Sequence, residues 1–312
     1  MLTLLQIKKN IQTDLKEVNK IIESTLLNSS NKTLTTIYQH ILSNNGKQIR
    51  AALMILVFKM QVKNCTQDLY KIAAAIELIH LASLVHDDII DDANIRRNQE
   101  TVYKKFGINN GIITGVHIYS KALLLISDVG NFDVLNKISE TVTNLCEGEC
   151  YQVNNRHNFK LDEKTYWNII YLKTSSLFES AIECACILNN TDESTKDLLI
   201  KFGNQLGDLF QLSDDYLDLF DTSNKLNKSI EQDLKTGDIS LPILIAANKI
   251  KSNNTDDIKN YLKKYQTEIK LNIKEIITSK QKSLKSITNQ LKNKTSINEL
   301  NAIVDLIANR TN

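Results

Sequence analysis

The sequence predicts an all-α protein, and its 312 residues are enough for one large domain or two. The chain has nine Gly and a single Pro, Pro242, in 312 residues, so few residues interrupt helices. Leu, Ile, Lys, Asn and Glu are abundant. Apolar residues recur at three- and four-residue spacing through most of the chain, starting with an amphipathic stretch over 2–27. Together these observations favour a helical protein with a large core.

Helices are predicted along most of the chain, with polar stretches between them. Pro242 fits the first turn of a helix. A loop is predicted over 106–111, and a charged loop over 221–237. The chain from 253 onward is rich in Lys and Asn but keeps a helical pattern. The remaining predicted helices cover 33–42, 47–58, 67–92, 112–126, 130–153, 165–188, 192–220 and 241–250.

Charge and composition exclude several classes of protein. With 38 basic and 36 acidic residues the net charge is +2, so charge indicates neither a nucleic-acid partner nor a membrane surface. We expect no signal peptide at the N-terminus and no apolar segment long enough to span a bilayer. Five cysteines, an odd number, lie within helical patterns and predict free thiols in a reducing cytoplasm. They are Cys65, Cys146, Cys150, Cys184 and Cys186.

An acidic cluster closes the apolar helix predicted over 67–92. Asp87, Asp88 and Asp91 occupy positions i, i+1 and i+4, which places Asp87 and Asp91 one turn apart on the same face. Like charges repel there, and the C-terminal helix dipole also disfavours anions. The cluster is either a solvated acidic helix end or a site for cations, and hard oxygen ligands suit Mg²⁺.

A second cluster repeats the same spacing near the end of another predicted helix. Asp214, Asp215 and Asp218 follow an apolar stretch in 192–220. Two such clusters on separate helices can face each other across a cavity and hold several Mg²⁺ ions between them. Several divalent ions in one place indicate a polyanionic ligand, and diphosphate is the natural candidate.

Basic residues mark places for a second anion. Lys47 and Arg50 follow Gly46 at a predicted helix start, where backbone N–H groups are free to bind phosphate. Arg96 and Arg97 follow the first acidic cluster, and paired Arg suits a diphosphate. Lys173 lies in the middle of a predicted helix, where a buried amine needs an anionic partner.

These motifs, in this order, resemble the trans-isoprenyl diphosphate synthases, the polyprenyl synthetase family, and most of all its long-chain octaprenyl and heptaprenyl members. The resemblance covers residues from about 40 to 245. The matching segments are GKQIR (46–50), ELIHLASLVHDDIIDDANIRR (77–97), EGE (147–149), KT (173–174), FQLSDDYLD (210–218), and Lys228 followed by DL (233–234) and LP (241–242).

The resemblance implies a single domain over residues 1–312 with the isoprenoid synthase fold, in which helices surround a deep central cavity, and a homodimer. The implied reaction joins isopentenyl diphosphate head to tail to an allylic prenyl diphosphate. About three Mg²⁺ ions per active site draw off the allylic pyrophosphate. The allylic cation is attacked by the double bond of isopentenyl diphosphate, and a proton is then lost to the pyrophosphate. The implied partners are these two substrates, with no nucleic acid and at most peripheral membrane contact for product release.

The resemblance also assigns residues to roles. The implied metal ligands are Asp87, Asp91 and Asp214 directly, with Asp88, Asp215 and Asp218 through water or in support. The implied allylic diphosphate site consists of Arg96, Lys173, Thr174, Gln211 and Lys228. The implied isopentenyl diphosphate site consists of Lys47, Arg50, His80 and Arg97. The catalytic set expected from both lists is Lys173, Thr174, Gln211, Asp87 and Asp214.

Four positions depart from the family pattern. Ala51 stands where a Pro usually follows the first Arg, and Asn98 stands where a Gly usually follows the Arg pair. Val116 replaces the Asp of a Gly-Asp pair. Asp238 replaces the Lys of a Gly-Lys pair, so a cation expected near the pyrophosphate is missing from that position.

Small residues before the first cluster predict the product length. The growing prenyl tail is expected to run along this helix, and Ala82 and Ser83, five and four residues before Asp87, leave it room. Ile79 is bulky but not aromatic. A medium or long product, heptaprenyl to decaprenyl, for a quinone side chain is expected. The alternatives are a short-chain farnesyl or geranylgeranyl synthase, a partner subunit of a heteromeric synthase, and a terpene cyclase, which needs no second diphosphate site.

Overall fold

The computed structural model describes residues 4–44, 46–220, 234–291 and 296–311 and confirms the all-α prediction. A pair of two-residue strands, β1 (Ile95–Arg96) and β2 (Gln99–Glu100), is the only sheet among these residues. The helices are α1 (Leu4–Asn10), α2 (Gln12–Leu27), α3 (Lys32–Leu42), α4 (Ile49–Phe58), α5 (Gln67–Ile90), α6 (Val102–Phe106), α7 (Ile108–Val129), α8 (Phe132–Asn154), α9 (Glu163–Ile170), α10 (Ser176–Leu188), α11 (Glu193–Phe220), α12 (Leu241–Ile250), α13 (Thr255–Lys264), α14 (Gln266–Gln290) and α15 (Ile297–Ala308).

Helix α5 lies at the centre of the bundle and packs against α2, α4, α7 and α10. Its alanines Ala73, Ala74 and Ala75 are fully buried, and such small side chains let neighbouring helices approach closely. Helix α11 packs against α10 and α14. The buried apolar cluster extends from Ile7 to Ala308. The boundaries of the domain over 1–312 stay a prediction.

The helix predicted over 165–188 is confirmed as one helical run from 163 to 188, but its hydrogen-bonding pattern changes part-way along. A π-helical turn, Tyr171–Ser175, separates α9 from α10. Two glycines let neighbouring helices reach this turn. A Cβ on Gly148 would lie 2.7 Å from the backbone nitrogen of Lys173, and a Cβ on Gly207 would lie 2.4 Å from the Cα of Ser175. The π turn, a feature common at functional sites, is therefore held closely between α8 and α11.

The loop predicted over 106–111 is wrong. Only Gly107, with φ of +91°, breaks the chain between α6 and α7. Gly111 lies inside α7, where a Cβ would come within 2.9 Å of the side chain of Ile89. The absence of a side chain at Gly111 therefore lets α7 pack closely on α5 and does not indicate a flexible chain. The stretch 2–27 is likewise two helices, which meet at Ile11.

The strand pair places the two Arg residues beside the end of α5. Arg97 and Asn98 form its turn with φ of +51° and +63°, as a two-residue type I′ hairpin requires. Asn tolerates the left-handed conformation better than most residues. Asn98 therefore suits a left-handed position at which a Gly was expected.

Two helices of the described residues are long and apolar enough to cross a membrane, by length and composition alone, which differs from the sequence-based expectation. They are α5 and α7. Helix α5 is the core helix, with 61% of its most apolar window buried, whereas only 28% of the corresponding window of α7 is buried.

Candidate active site

A cavity of about 420 Å³ lies where the C-terminal ends of α5, α8 and α11 approach the π turn. It brings residues of both acidic clusters to one place. The predicted site residues that line it are Asp91, Arg96, Lys173, Thr174, Gln211, Asp214 and Asp215.

The first acidic cluster is strongly perturbed by its surroundings. Burial, with a contribution from the Glu149 carboxylate, raises the pKa of Asp87 to about 7 against the opposing pull of Lys173. Burial also raises the pKa of Asp91. Asp88 instead accepts a 2.7 Å hydrogen bond from Nε of Arg96. Burial therefore makes the charged form of Asp87 and Asp91 costly, which a nearby cation would offset.

The two described carboxylates of the second cluster have different surroundings. Asp215 is buried and accepts hydrogen bonds from Tyr166 Oη (2.7 Å), Gln211 Nε2 (2.8 Å) and the backbone N–H of Leu241 (3.2 Å). Asp214 lines the cavity and contacts Nη2 of Arg310 at 2.7 Å. The side chain of Asp218 and the whole of Lys228 lie outside the described residues, so their predicted roles stay predictions.

The donor set fits a hard divalent cation. In the part of the chain that the structure describes, no three acidic, His or Cys side chains converge into a ready-made metal site. Asp88 and Asp215 accept hydrogen bonds from protein donors. Asp91 and Asp214 line the cavity, although each also contacts an Arg, at 2.6 Å and 2.7 Å. With Asp87, one turn before Asp91, they are the carboxylates that would hold ions, with further oxygen ligands to come from a diphosphate, as suits Mg²⁺.

The π turn aims two side chains into the cavity. Nζ of Lys173 lies 2.6 Å from Oε2 of Glu149 on α8. Burial disfavours the Lys173 charge, but the Asp87 and Glu149 carboxylates outweigh this effect and raise the pKa of Lys173. The Thr174 hydroxyl donates a 2.9 Å hydrogen bond to Oε1 of Gln211. Hydrogen bonds from Thr174 to Gln211 and from Gln211 to Asp215 therefore hold these polar groups in place within the protein itself.

A second site contains cations without a matching acidic cluster. Arg50, only 7% exposed, places its guanidinium 4.4 Å from the centre of the Phe178 ring. Its buried Nε has no hydrogen-bond partner. Burial lowers the pKa of Arg50 to about 10, against the attraction of Glu77 and Asp214. A buried cation with an unused donor is a strong attractor for an anion.

The other predicted members surround the same place. Burial and then the nearby positive charges of Arg50 and Arg97 hold the pKa of His80 well below its usual value, so His80 is neutral. Burial and the charge of Arg310 lower the pKa of Lys47. The Arg97 guanidinium lies against Gly46, since a Cβ added to this glycine would come within 2.8 Å of Nη1 of Arg97. A larger residue at position 46 would therefore displace Arg97.

Several functional residues were missed by the sequence-based assignment. Glu77 accepts a 2.9 Å hydrogen bond from the backbone N–H of Ala51, a bond that a Pro at position 51 could not donate. Tyr166 and Glu149 hold Asp215 and Lys173. The only signals for these residues were the EGE motif, whose role was left open, and the position of Glu77 one turn before His80.

The remaining departures have separate explanations. Val116 is 54% exposed on the outer surface of α7, away from the cavity. Asp238 lies on the cavity wall and accepts hydrogen bonds from Gln152 Nε2 (3.1 Å) and Arg156 Nε (3.0 Å). A cation, Arg156, therefore lies beside position 238, on the turn that follows α8.

The predicted chain-length residues lie on α5 but do not line the cavity. Ile79 and Ala82 are fully buried, and Ser83 is half-buried with its hydroxyl donating to the backbone oxygen of His80 at 2.9 Å. The cavity wall is formed by other residues. Their role in product length stays a prediction.

The raised pKa of Asp87 predicts a pH-dependent affinity for Mg²⁺. An ion must displace a proton from a carboxyl whose pKa is about 7 rather than 3.8. We expect the affinity of the protein for Mg²⁺ to fall about tenfold per pH unit below 7, as measured by calorimetry. In the metal-free protein, the protonated Asp87 carboxyl adds to the free energy of unfolding. This contribution is complete below pH 3.8 and is lost as the pH rises through about 7. An Asp87→Asn variant should lose this pH dependence; an unchanged slope would assign it elsewhere.

The chain is similar to known proteins in both sequence and structure. Residues 31–279 match the family described as polyprenyl synthetase. The chain is 34% identical over 220 residues to octaprenyl diphosphate synthase of Escherichia coli, covering 70% of this chain and 68% of that protein. It is 32% identical over 207 residues to heptaprenyl diphosphate synthase component 2 of Geobacillus stearothermophilus, covering 66% of this chain and 64% of that protein. The crystal structure of heptaprenyl diphosphate synthase from Staphylococcus aureus is similar with a TM-score of 0.89 at 26% identity, covering 97% of this chain and 99% of that one.

Proposed function

The chain belongs to the polyprenyl synthetase family, and we propose that it is a Mg²⁺-dependent prenyltransferase that extends an allylic diphosphate with isopentenyl diphosphate. The observation that carries this proposal is the presence of two different anion sites around α5. One is the acidic cavity, which needs metal ions before it can bind an anion. The other contains Lys47, Arg50 and Arg97 and can bind a diphosphate directly.

In this proposal the allylic diphosphate occupies the acidic cavity. Asp87, Asp91 and Asp214 would hold Mg²⁺, which supplies the positive charge that stabilises the departing pyrophosphate. Lys173 and Arg96 would contact diphosphate oxygens, since both line the cavity. The Thr174 hydroxyl and Gln211 are held by each other and would stand beside the carbon that becomes cationic.

Isopentenyl diphosphate would occupy the second site. Arg50 and Lys47 would bind its diphosphate, with Arg97 closing over it from the hairpin. His80 would act as a neutral hydrogen-bonding group, since burial and then the surrounding cations hold its pKa well below its usual value. Such an arrangement keeps the diphosphate that stays on the product away from the metal ions that activate the other one.

A turnover assay tests the function. Labelled isopentenyl diphosphate, farnesyl diphosphate and Mg²⁺ should give a prenyl product that is dephosphorylated and sized, and a chelator should abolish it. Absence of product from farnesyl or any shorter primer, with a folded helical protein, would contradict an autonomous enzyme. Activity that appears only with a second polypeptide would favour a heteromeric subunit, the class suggested by the name of the component 2 relative.

We propose a medium or long product, of a size suited to a quinone side chain, supported by the octaprenyl and heptaprenyl names of the relatives and by the small residues before Asp87. Replacing Ala82 by Phe should shorten the product, because the ring would fill the path along α5. Product length is measured by chromatography after dephosphorylation. Ala82 is fully buried, so thermal unfolding must accompany the assay, and Ser83→Phe at the half-buried neighbour provides a second variant. Unchanged products from both folded variants would disprove the path.

We also propose a homodimer that uses the outer surface of α7. This helix exposes an apolar stripe, with Ile113 56% and Leu124 64% exposed, alongside Ile112, Val116 and Leu123. Apolar surface of this extent is typical of an interface.

We also propose a cytoplasmic location. The support for it is that the five cysteines are free thiols, as is usual in a reducing compartment.

Light scattering after size exclusion tests the dimer. Leu124→Asp should convert it to a monomer, because a carboxylate would be buried without a partner. Leu271→Asp is a matched control, since Leu271 is 60% exposed on α14, and it should leave the dimer intact. A monomeric wild-type protein, or dissociation by both variants alike, would contradict this interface.

A further inference from the structure

Arg156 joins the two sides of the cavity rim. Its Nη2 lies 2.6 Å from Oδ1 of Asp91 at the end of α5, and its Nε lies 3.0 Å from Oδ1 of Asp238. Arg96 and Arg310 each contact one carboxylate of the acidic clusters, whereas Arg156 is shared by two. Both of its partners line the cavity.

The support for Asp238 is built into the end of α8. Gln152, one turn before Arg156, donates a 3.1 Å hydrogen bond to the same Oδ1 of Asp238. The backbone N–H of His157 donates a 2.9 Å hydrogen bond to the carbonyl of Gly237. Gly237 has φ of +82°, and a Cβ there would lie 2.5 Å from the ring of His157. Asp238 is thus fixed against α8 and can hold the Arg156 guanidinium in place.

Charge decides what this pair can do. An isolated Asp238 on the cavity wall would repel a diphosphate, whereas the Arg156 guanidinium offsets its charge. Nη1 makes only one long contact, 3.5 Å to the backbone oxygen of Ile90. If Asp91 held a cation in place of Nη2, Asp238 and Arg156 would form a neutral pair through Nε. The planar edge of the guanidinium would then be free to bind two oxygens of a diphosphate.

We propose that Arg156, positioned by Asp238, is an additional diphosphate-binding residue of the acidic cavity. This inference rests on the proposed function, because it assigns a further ligand to the same diphosphate. Asp238 is a positioning residue. Two other readings of the same contacts exist: Arg156 is only a latch between α8 and α5, or it is a counter-ion that competes with metal for Asp91.

Calorimetric binding of inorganic pyrophosphate in the presence of Mg²⁺, and of Mg²⁺ alone, separates these readings. Arg156→Gln should weaken pyrophosphate binding by about tenfold or more, the value of one or two charge-assisted hydrogen bonds. Lys160→Gln removes a charge from an exposed residue of the same connection and should change the affinity less than about twofold. Asp238→Asn keeps an acceptor for Nε and should have a smaller effect than Arg156→Gln, whereas Asp238→Ala should approach it.

Other binding results would contradict either this proposal or the proposed function. Unchanged pyrophosphate affinity in a folded Arg156→Gln protein would reduce Arg156 to a latch and overturn the proposal. Tighter binding of Mg²⁺ and pyrophosphate would identify a competing counter-ion and also overturn it. If Arg156→Gln fails to fold, Arg156→Lys, which keeps the charge without the planar edge, should still lose affinity, and wild-type affinity there would reject the proposal. Wild-type protein that binds no pyrophosphate with Mg²⁺ would contradict the proposed function itself.

Discussion

Replacing Asp87 by Asn should lower kcat/KM for prenyl transfer by at least about 1,000-fold, equivalent to about 4 kcal/mol of transition-state stabilisation. The amide removes a formal charge from the buried position whose carboxyl has a pKa of about 7. It also weakens the partnership with Lys173, whose charge that carboxylate helps to sustain. Steady-state assays with saturating Mg²⁺ measure the loss, and calorimetry should show weakened Mg²⁺ binding.

The same stretch of sequence offers a matched control. Asp92 follows the cluster directly, but it has φ of +50° and accepts a 2.8 Å hydrogen bond from the Tyr103 hydroxyl. Neither Asp87 nor Asp92 lines the cavity, but the Asp92 carboxylate is already bound to α6 through Tyr103, whereas Asp87 interacts with Lys173. Asp92→Asn should therefore retain most of the activity. Equal losses in both variants would show that the acidic run acts through general charge and not through a metal-binding geometry.

Replacing Arg50 by Gln should raise the KM for isopentenyl diphosphate by about 100-fold, because charge-assisted hydrogen bonds to a buried anion are lost. Arg50 is 7% exposed and has an unpaired Nε, so the site cannot substitute water for it easily. Binding of pyrophosphate with Mg²⁺ in the acidic cavity should change little. This separation between the two diphosphates is the measurable signature of two distinct sites.

Two further variants sharpen the Arg50 test. Arg50→Lys keeps a charge but loses the planar contact with the Phe178 ring, so we expect only partial recovery. Lys63→Gln, at an exposed residue after α4, should leave both substrates unaffected. An Arg50→Gln protein that loses affinity for both diphosphates equally would mean that the two sites are not independent.

Local patterns were sufficient for the class of fold and for the acidic and basic motifs. Helix periodicity and the spacing of Asp87 with Asp91 depend on residues one or two turns apart, and such relations are preserved when a helix packs. Glycine was ambiguous for the same local reason. Gly107 and Gly111 suggested a loop, but Gly111 is helical and leaves space for Ile89, because one residue type serves both flexible chain and close packing.

Sequence patterns predict a helical protein with two acidic clusters and a separate set of cations. The contacts that each of these charged groups makes depend on the packed structure. Asp88 and Asp215 are bound to Arg96 and Tyr166, and Asp238 brings Arg156 to the rim. These contacts join residues from 8 to 82 positions apart, and no periodicity within one helix specifies them. They follow from how helices pack, since packing sets which side chains meet and how deeply each charge is buried.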